Sequence, residues 1–347
     1  MIIIFIIIMI FFLINSKISL KNNNQGYMSK EQTTIINGLF VLIVFFSHCM
    51  SYINNLDKID LPLQFIIYNI GQLMVTTFLF YSGYGIYESI KKNKDYKKTF
   101  FKKRFIPTFT NFIIAIILFI ILNIILGNKI STNKTLLSFI GWESIGNSNW
   151  YMFAIFCEYI FLMISFKLIK KDSNQIHLIS VLSLLYIIVL SFFKPQHWYD
   201  TIFCFPIGMY FSYYKSKIEN IILNNKYYWR NLIISIIVFI SLFFLQRYYN
   251  NAITYNIFSI SFILIIVLVS IKIKFNSKIF NYIGKRVFWI YILQRIPMII
   301  LKNISNYQVY FILCLIITLI LSEILYRLSN ILNSKLQKQK KRNEVRT

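Results

Sequence analysis

The sequence predicts an all-α, polytopic membrane helix bundle, and three observations carry that prediction. Aliphatic, aromatic and cysteine residues make up 57% of the 347 residues and the mean hydropathy is +0.61, well above the apolar share of an ordinary soluble domain. The apolar residues fall almost end to end in runs near the length of about 20 residues that crosses a hydrocarbon layer. Between the runs, lysine and arginine gather in every second loop, as expected of a chain that threads a bilayer with its positive loops inside.

Taken in order, the runs lie near 33–53, 65–88, 105–126, 150–169, 176–193, 199–214, 227–246, 252–273, 279–301 and 308–328, which makes ten core spans. Residues 1–32 come before them as an apolar segment and a basic linker. The apolar part, Met1 to Asn15, is short for a span and lacks the positive flank of a secretory signal. Two readings stay open: it inserts with its N-terminus outside, or translation starts at Met28, where MSKEQ makes a conventional cytosolic beginning. Residues 33–330 read as one membrane domain and 331–347 as a basic cytoplasmic tail.

Loops holding Lys17 to Lys30, Lys91 to Arg104, Lys167 to Lys171, Lys215 to Arg230 and Lys272 to Arg286 alternate with loops carrying Asp57 and Asp60, then Lys129, Lys134 and Glu143, then His197 and Asp200, then little but Arg247. The basic side is therefore cytoplasmic in this reading, and the chain is a multi-pass protein of a bacterial-type plasma membrane. The net charge of +25 is mostly a topology signal, and nucleic-acid binding has no place in it. Cys49, Cys157, Cys204 and Cys314 sit in apolar segments without close partners in sequence, indicating neither a disulfide framework nor a metal site.

Several stretches put polar groups where lipid would exclude them. In IINGLFVLIVFFSHCMSY, residues 35–52, His48 stands inside an apolar run, with ten residues between it and Asn37. A histidine at that depth is costly unless it is paired or lines a wet cavity, although hydrogen bonding between helices can also hold one. The second span ends in Phe78 to Gly85, where Gly83 and Gly85, next to Ser82, let either a neighbouring helix or a ligand come close. FFKKRFIPTF then sets Lys102, Lys103 and Arg104 just before Pro107. Clustered cations suit phosphate, and any cytoplasmic loop is also basic.

Trp150 and Tyr151 open the fourth span as an interfacial aromatic pair. Glu158, eight residues on, lies about 12 Å deeper, where a carboxylate needs a cation or a proton. It is either the partner that orients His48 or a neutral, hydrogen-bonded group. His197 and Asp200 face the outside, and Pro206 and Gly208 kink or thin the short span that follows. IGKRVFWIYILQRIPM brings Gln294 and Arg295, the latter with Glu323 on the last span as its expected partner.

This ordered set resembles the acyltransferase 3 family of integral membrane O-acyltransferases. That family's first core helix reads arginine-glycine-leucine, an apolar run and a histidine at this spacing. A phenylalanine-rich run into serine-glycine-tyrosine follows, then a basic loop closing with arginine shortly before proline, and a tryptophan-tyrosine pair. Low-GC members continue with a cysteine-phenylalanine-proline, glycine-methionine run, and the closing helix leads through isoleucine-tyrosine-leucine-leucine to a histidine. Here Asn37 stands where the arginine is expected and Gln294 where that last histidine is.

The resemblance implies a membrane O-acetyltransferase that takes acetyl from cytosolic acetyl-CoA, a donor substrate and not a bound cofactor, and passes it to a hydroxyl of a cell-surface or extracellular polysaccharide. Its partners are then the acyl-CoA donor, the glycan acceptor and the lipid bilayer, with no metal and no assigned oligomeric state. His48 would be the general base, with Glu158 beside it as read above. Asn37, Ser82, Lys102, Lys103 and Arg104 fall toward the donor, and Trp150, Tyr151 and Asp200 toward the acceptor. The rival class is a transporter, flippase or polymerase of lipid-linked glycans that uses His48, Glu158 and Arg295 as a polar pathway. A knockout that loses glycan acetate while full-length polymer is still exported separates the two.

Overall fold

In the computed structural model, which describes residues 1–54 and 56–344, with side chains as far as Leu332, the chain is almost wholly helical. The side chains of the basic tail, Lys335 to Arg346, lie outside the described residues. The first elements are α1 (Ile2–Leu13), β1 (Lys17–Ile18) and α2 (Lys30–Met50). Ser29 starts α2 by accepting from the Gln32 N–H, with Glu31 in the first turn; the hydroxyl meets an orphan donor and the carboxylate suits the positive helix end. Helix α3 (Leu61–Lys92) carries Pro62 in its first turn, where a missing N–H costs nothing.

Helix α4 (Tyr96–Phe100) runs through a π-turn, Phe101–Phe105, into α5 (Ile106–Ile125). Pro107 has no N–H and its ring crowds the Lys103 carbonyl, so the wider turn relieves a clash that a plain α-helix would keep. A short α6 (Thr132–Ser138) lies in the longest loop, followed by α7 (Trp150–Leu168), α8 (Asp172–Ser191), α9 (Cys204–Tyr213), α10 (Lys215–Ile222), α11 (Asn225–Tyr249) and α12 (Ala252–Lys272). Strand β2 (Ile273–Lys274) pairs antiparallel with β1, Lys17 opposite Lys274. The chain ends with α13 (Lys278–Gly284), α14 (Val287–Leu293), α15 (Arg295–Ile300) and α16 (Tyr307–Glu344).

Eight helical stretches among the described residues are long and apolar enough to cross a membrane: α2, α3, the continuous Tyr96–Ile125, α7, α8, α11, α12 and α16. The expected all-α membrane bundle is present, but two of the ten expected spans are not single long helices. Near 199–214, α9 has ten residues, a rise of about 15 Å or half a hydrocarbon layer. Pro206 cannot donate to Ile202, so the helix begins no earlier than the turn that contains it. Near 279–301 the helix is cut into α13, α14 and α15. Pro297 blocks the carbonyl of Leu293, and Gln294 at the break donates its Nε2 to Tyr291 O at 2.8 Å, answering one freed acceptor.

Two pairs of glycines bring helices together backbone to backbone. A Cβ on Gly38 would lie 2.1 Å from Phe280 O and one on Gly284 1.9 Å from Thr34 O, so α2 lies directly on α13. In the same way a Cβ on Gly83 would meet Phe205 O at 2.1 Å and one on Gly208 would meet Phe80 O at 2.1 Å, which fixes α9 on α3. Small residues permit such approaches in membrane bundles, where packing and polar contacts replace the hydrophobic drive between helices.

Candidate active site

The faces of α2, α3, α5, α7 and α14 enclose a cavity of about 840 Å³. Each contributes a stripe at helical spacing: Thr33 and Asn37 on α2; Phe78, Tyr81, Ser82, Gly85, Ser89 and Lys92 on α3; Arg104, Thr108 and Asn111 along the π-turn and α5; Tyr151, Ile155 and Tyr159 on α7; Phe288 and Tyr291 on α14. Intervals of three, four and seven residues put such side chains on one face. The open end is polar, with Ser29, Lys30, Glu88, Lys92 and Lys215 on its rim. All of these belong to the basic loops or their flanks.

Four cations, Lys30, Lys92, Arg104 and Lys215, and one carboxylate, Glu88, line this volume, so its fixed charge is positive. Most of these groups already have partners. Lys215 Nζ donates to Tyr84 Oη at 3.0 Å, Glu88 accepts from Ser212 Oγ at 2.7 Å and pairs with Lys91 at 2.5 Å, and Arg104 Nε donates to Tyr159 Oη at 3.1 Å. Tyr159 Oη in turn lies 3.2 Å from Ser82 Oγ. Behind the rim, Tyr27 donates to Glu219 at 3.0 Å; burial, and then that carboxylate, raise its phenol above the ordinary value.

The inner end is aromatic. The Phe78 ring lies 6.1 Å from Tyr151, Tyr151 lies 5.3 Å from Tyr291, and Tyr291 lies 6.3 Å from the His48 imidazole. His48 is the next group beyond the cavity wall. It is eleven positions from Asn37, three turns and about 20° further round, so both sit on one face of α2 about 16 Å apart. The Gln294 side chain faces the imidazole, yet His48 Nδ1, Gln294 Oε1, Tyr291 Oη and Arg295 Nε are all buried without a hydrogen-bond partner, as is Asn37 Oδ1.

Of the residues singled out by sequence, Asn37, Ser82, Arg104 and Tyr151 come together in this cavity, and His48 stands at its end. Lys102 and Lys103 do not line it. Successive helical residues point about 100° apart, and only Arg104 of the three turns inward. Trp150 instead faces the His197 ring at 6.0 Å, and Asp200 is buried where it accepts from Gln72 Nε2 at 2.7 Å.

Two expected pairs are not formed. Glu158 is one position off the Tyr151–Ile155–Tyr159 stripe and turns onto α8, where its Oε1 accepts from Ser183 Oγ at 2.7 Å, so it does not orient His48. Glu323 pairs with Arg286 and with Arg327, the latter at 2.5 Å, and accepts from Tyr282 at 2.6 Å; it is not the partner of Arg295. Tyr159, Tyr291, Lys92 and Lys215 join the site without having been expected. The recurrence of Tyr151, Ile155 and Tyr159 at four-residue intervals, and the polar stripe Arg104, Thr108, Asn111, are the signals that could have marked it.

Among the described residues no three histidine, cysteine or carboxylate side chains come together as metal ligands. Comparison with curated proteins and with solved structures returned no match. A family model described as an acyltransferase domain matches residues 35–327, a span that includes the cavity-lining residues from Asn37 to Tyr291, while Ser29, Lys30 and Thr33 precede it.

Proposed function

The chain belongs to the acyltransferase 3 family, and from that premise we propose that this membrane acyltransferase moves acetyl from acetyl-CoA on the cytoplasmic side to a hydroxyl of a cell-surface polysaccharide. The observation that carries the reading is one cavity joining a cation-lined mouth to an aromatic end beside His48. Lys30, Lys92 and Lys215 stand as point charges for the donor's phosphates, and Arg104, held by Tyr159, adds a planar fork to the same mouth. The pantetheine arm lies along Ser82, Gly85 and Ser89, where a side chain on Gly85 would meet nothing within 4 Å. Asn37 has a free carbonyl oxygen there, and a neutral acceptor suits an amide N–H of that arm, which an arginine would not.

In this scheme the thioester reaches the Tyr151–Tyr291 pair and the acceptor hydroxyl comes to His48. Nitrogen of the imidazole takes the hydroxyl proton as the oxygen attacks the thioester carbonyl. The C–S bond then breaks, and the proton leaves with the coenzyme as its thiol. Glu158 has no part in the step. Replacing His48→Ala and measuring glycan acetate by mass spectrometry tests the assignment: acetate should disappear, and acetate at the wild-type level removes His48 from the mechanism.

A further inference from the structure

Beyond the aromatic end, the molecule keeps a cation without an anion. Arg295 opens α15, is neither in an ion pair nor hydrogen-bonded among the described residues, and buries its Nε without a partner; the acid expected for it, Glu323, is taken by Arg286 and Arg327. An unanswered charge inside a membrane protein is costly enough to need a reason. Three more buried atoms are unanswered among the described residues: Tyr291 Oη on α14, four positions before it, and Asn147 Nδ2 and Ser148 Oγ in the loop before α7. These three side chains are at most 3% exposed.

Two contacts lay that loop along the broken helix. A Cβ on Gly146 would be 3.1 Å from Ile299 Cδ1, and the Tyr151 ring is 5.3 Å from Tyr291. Residues 291, 295 and 299 follow one another at four-residue steps, so Arg295 is the middle of one strip and Asn147 and Ser148 the middle of the other. His48 lies within electrostatic reach of Arg295. Asn147 Nδ2, the Ser148 and Tyr291 hydroxyls and Arg295 Nε can all donate, and among the described residues none of them is bonded to a carboxylate.

We propose that this cluster is an anion site for the acceptor: the sugar that receives the acyl group carries a carboxylate or a phosphate, bound by Arg295 with Asn147 and Ser148 while its hydroxyl lies at His48. The proposal rests on the acyltransferase reading. The donor's own phosphates do not fill this site, because the lysines that suit them are at the Thr33 end of α2, about 22 Å away along the helix.

The test uses the full chain in lipid nanodiscs, without donor, titrated calorimetrically with a hexuronic-acid trisaccharide, its carboxyl-reduced neutral counterpart and the neutral trisaccharide bearing one phosphate. One charged probe should bind about tenfold or more tighter than the neutral one, and which one does identifies the anion. Arg295→Gln should erase the difference and Arg295→Lys should keep part of it. Asn147→Asp, which places a carboxylate in the cluster at nearly constant size, should also erase it. Equal affinity for all three probes, or a preference that survives both Arg295→Gln and Asn147→Asp, overturns the proposal. Transfer of labelled acetyl from acetyl-CoA, measured in parallel, keeps the two readings apart: transfer without anion preference sinks the anion site alone, and anion preference without transfer sinks the acetyltransferase reading alone.

Discussion

The two ends of the cavity are built on opposite terms. At the mouth, Lys215 has Tyr84, Arg104 has Tyr159, and Glu88 has Ser212 and Lys91. At the inner end, His48, Tyr291, Gln294 and Arg295 keep atoms that no group among the described residues answers. A buried polar atom left unpaired costs about 1–3 kcal/mol, so the inner end is held in a costly state by the packing around it. Groups at the mouth are ordered in advance and bind with spare charge. Groups at the inner end become satisfied only when reacting partners arrive, which is where strength that appears late in a reaction is useful.

On that contrast the largest loss belongs to the inner end. His48→Ala should lower transfer by roughly 10²–10⁴-fold, the usual contribution of a positioned base, with donor binding unchanged by calorimetry. A comparable loss of donor affinity would erase the distinction between the ends.

The next effect lies outside both, on the packing that holds them. Gly83→Ala sets a Cβ against Phe205 O, where 2.1 Å is available, and should cost about 1–3 kcal/mol of stability as overpacking does. It should be read as a lower melting temperature in detergent, whereas Gly85→Ala, two residues on and open to the cavity, should melt like the wild type. Equal melting of the two variants would break the assignment of one glycine to packing and the other to ligand space.

At the mouth, Arg104→Ala should raise the KM for acetyl-CoA about tenfold, the worth of one charge-assisted hydrogen bond, and leave kcat near the wild-type value. A fall in kcat instead would move Arg104 into the chemistry. The smallest effect is expected of Glu158→Gln. Among the described residues its one hydrogen-bond partner is Ser183, which an amide can also satisfy, so transfer should stay within about twofold. A loss rivalling His48→Ala would restore the carboxylate-histidine pair that the geometry denies.

The all-α membrane class was legible from hydropathy and loop charge alone, and the order of motifs singled out Asn37, Ser82 and Arg104 for the donor and Tyr151 for the acceptor, four residues that the fold then places on one cavity. What stayed hidden follows from how a helix presents its residues. Lys102, Lys103 and Arg104 are neighbours in sequence, yet a step of about 100° sends only one inward. Glu158 is likewise a single position from the cavity stripe and faces another helix. The span near 279–301 read as continuous because hydropathy does not register a lost N–H, although Pro297 was in view, and near 199–214 the kink expected at Pro206 goes as far as leaving a ten-residue helix. Tyr159 and Tyr291 were overlooked because aromatic residues at membrane depth are common and acquire meaning only from what they face.

The depth of the cavity has an electrical consequence. Water and mobile ions entering from the rim carry the potential of that side inward as far as the Tyr151–Tyr291 wall, so the remaining thickness around His48 must bear most of any voltage across the bilayer. Across such a thin dielectric the field is focused, and a unit charge that moves through it exchanges about 2.3 kcal/mol for every 100 mV. A step of the proposed transfer that moves charge through this wall would therefore respond to the voltage across the membrane.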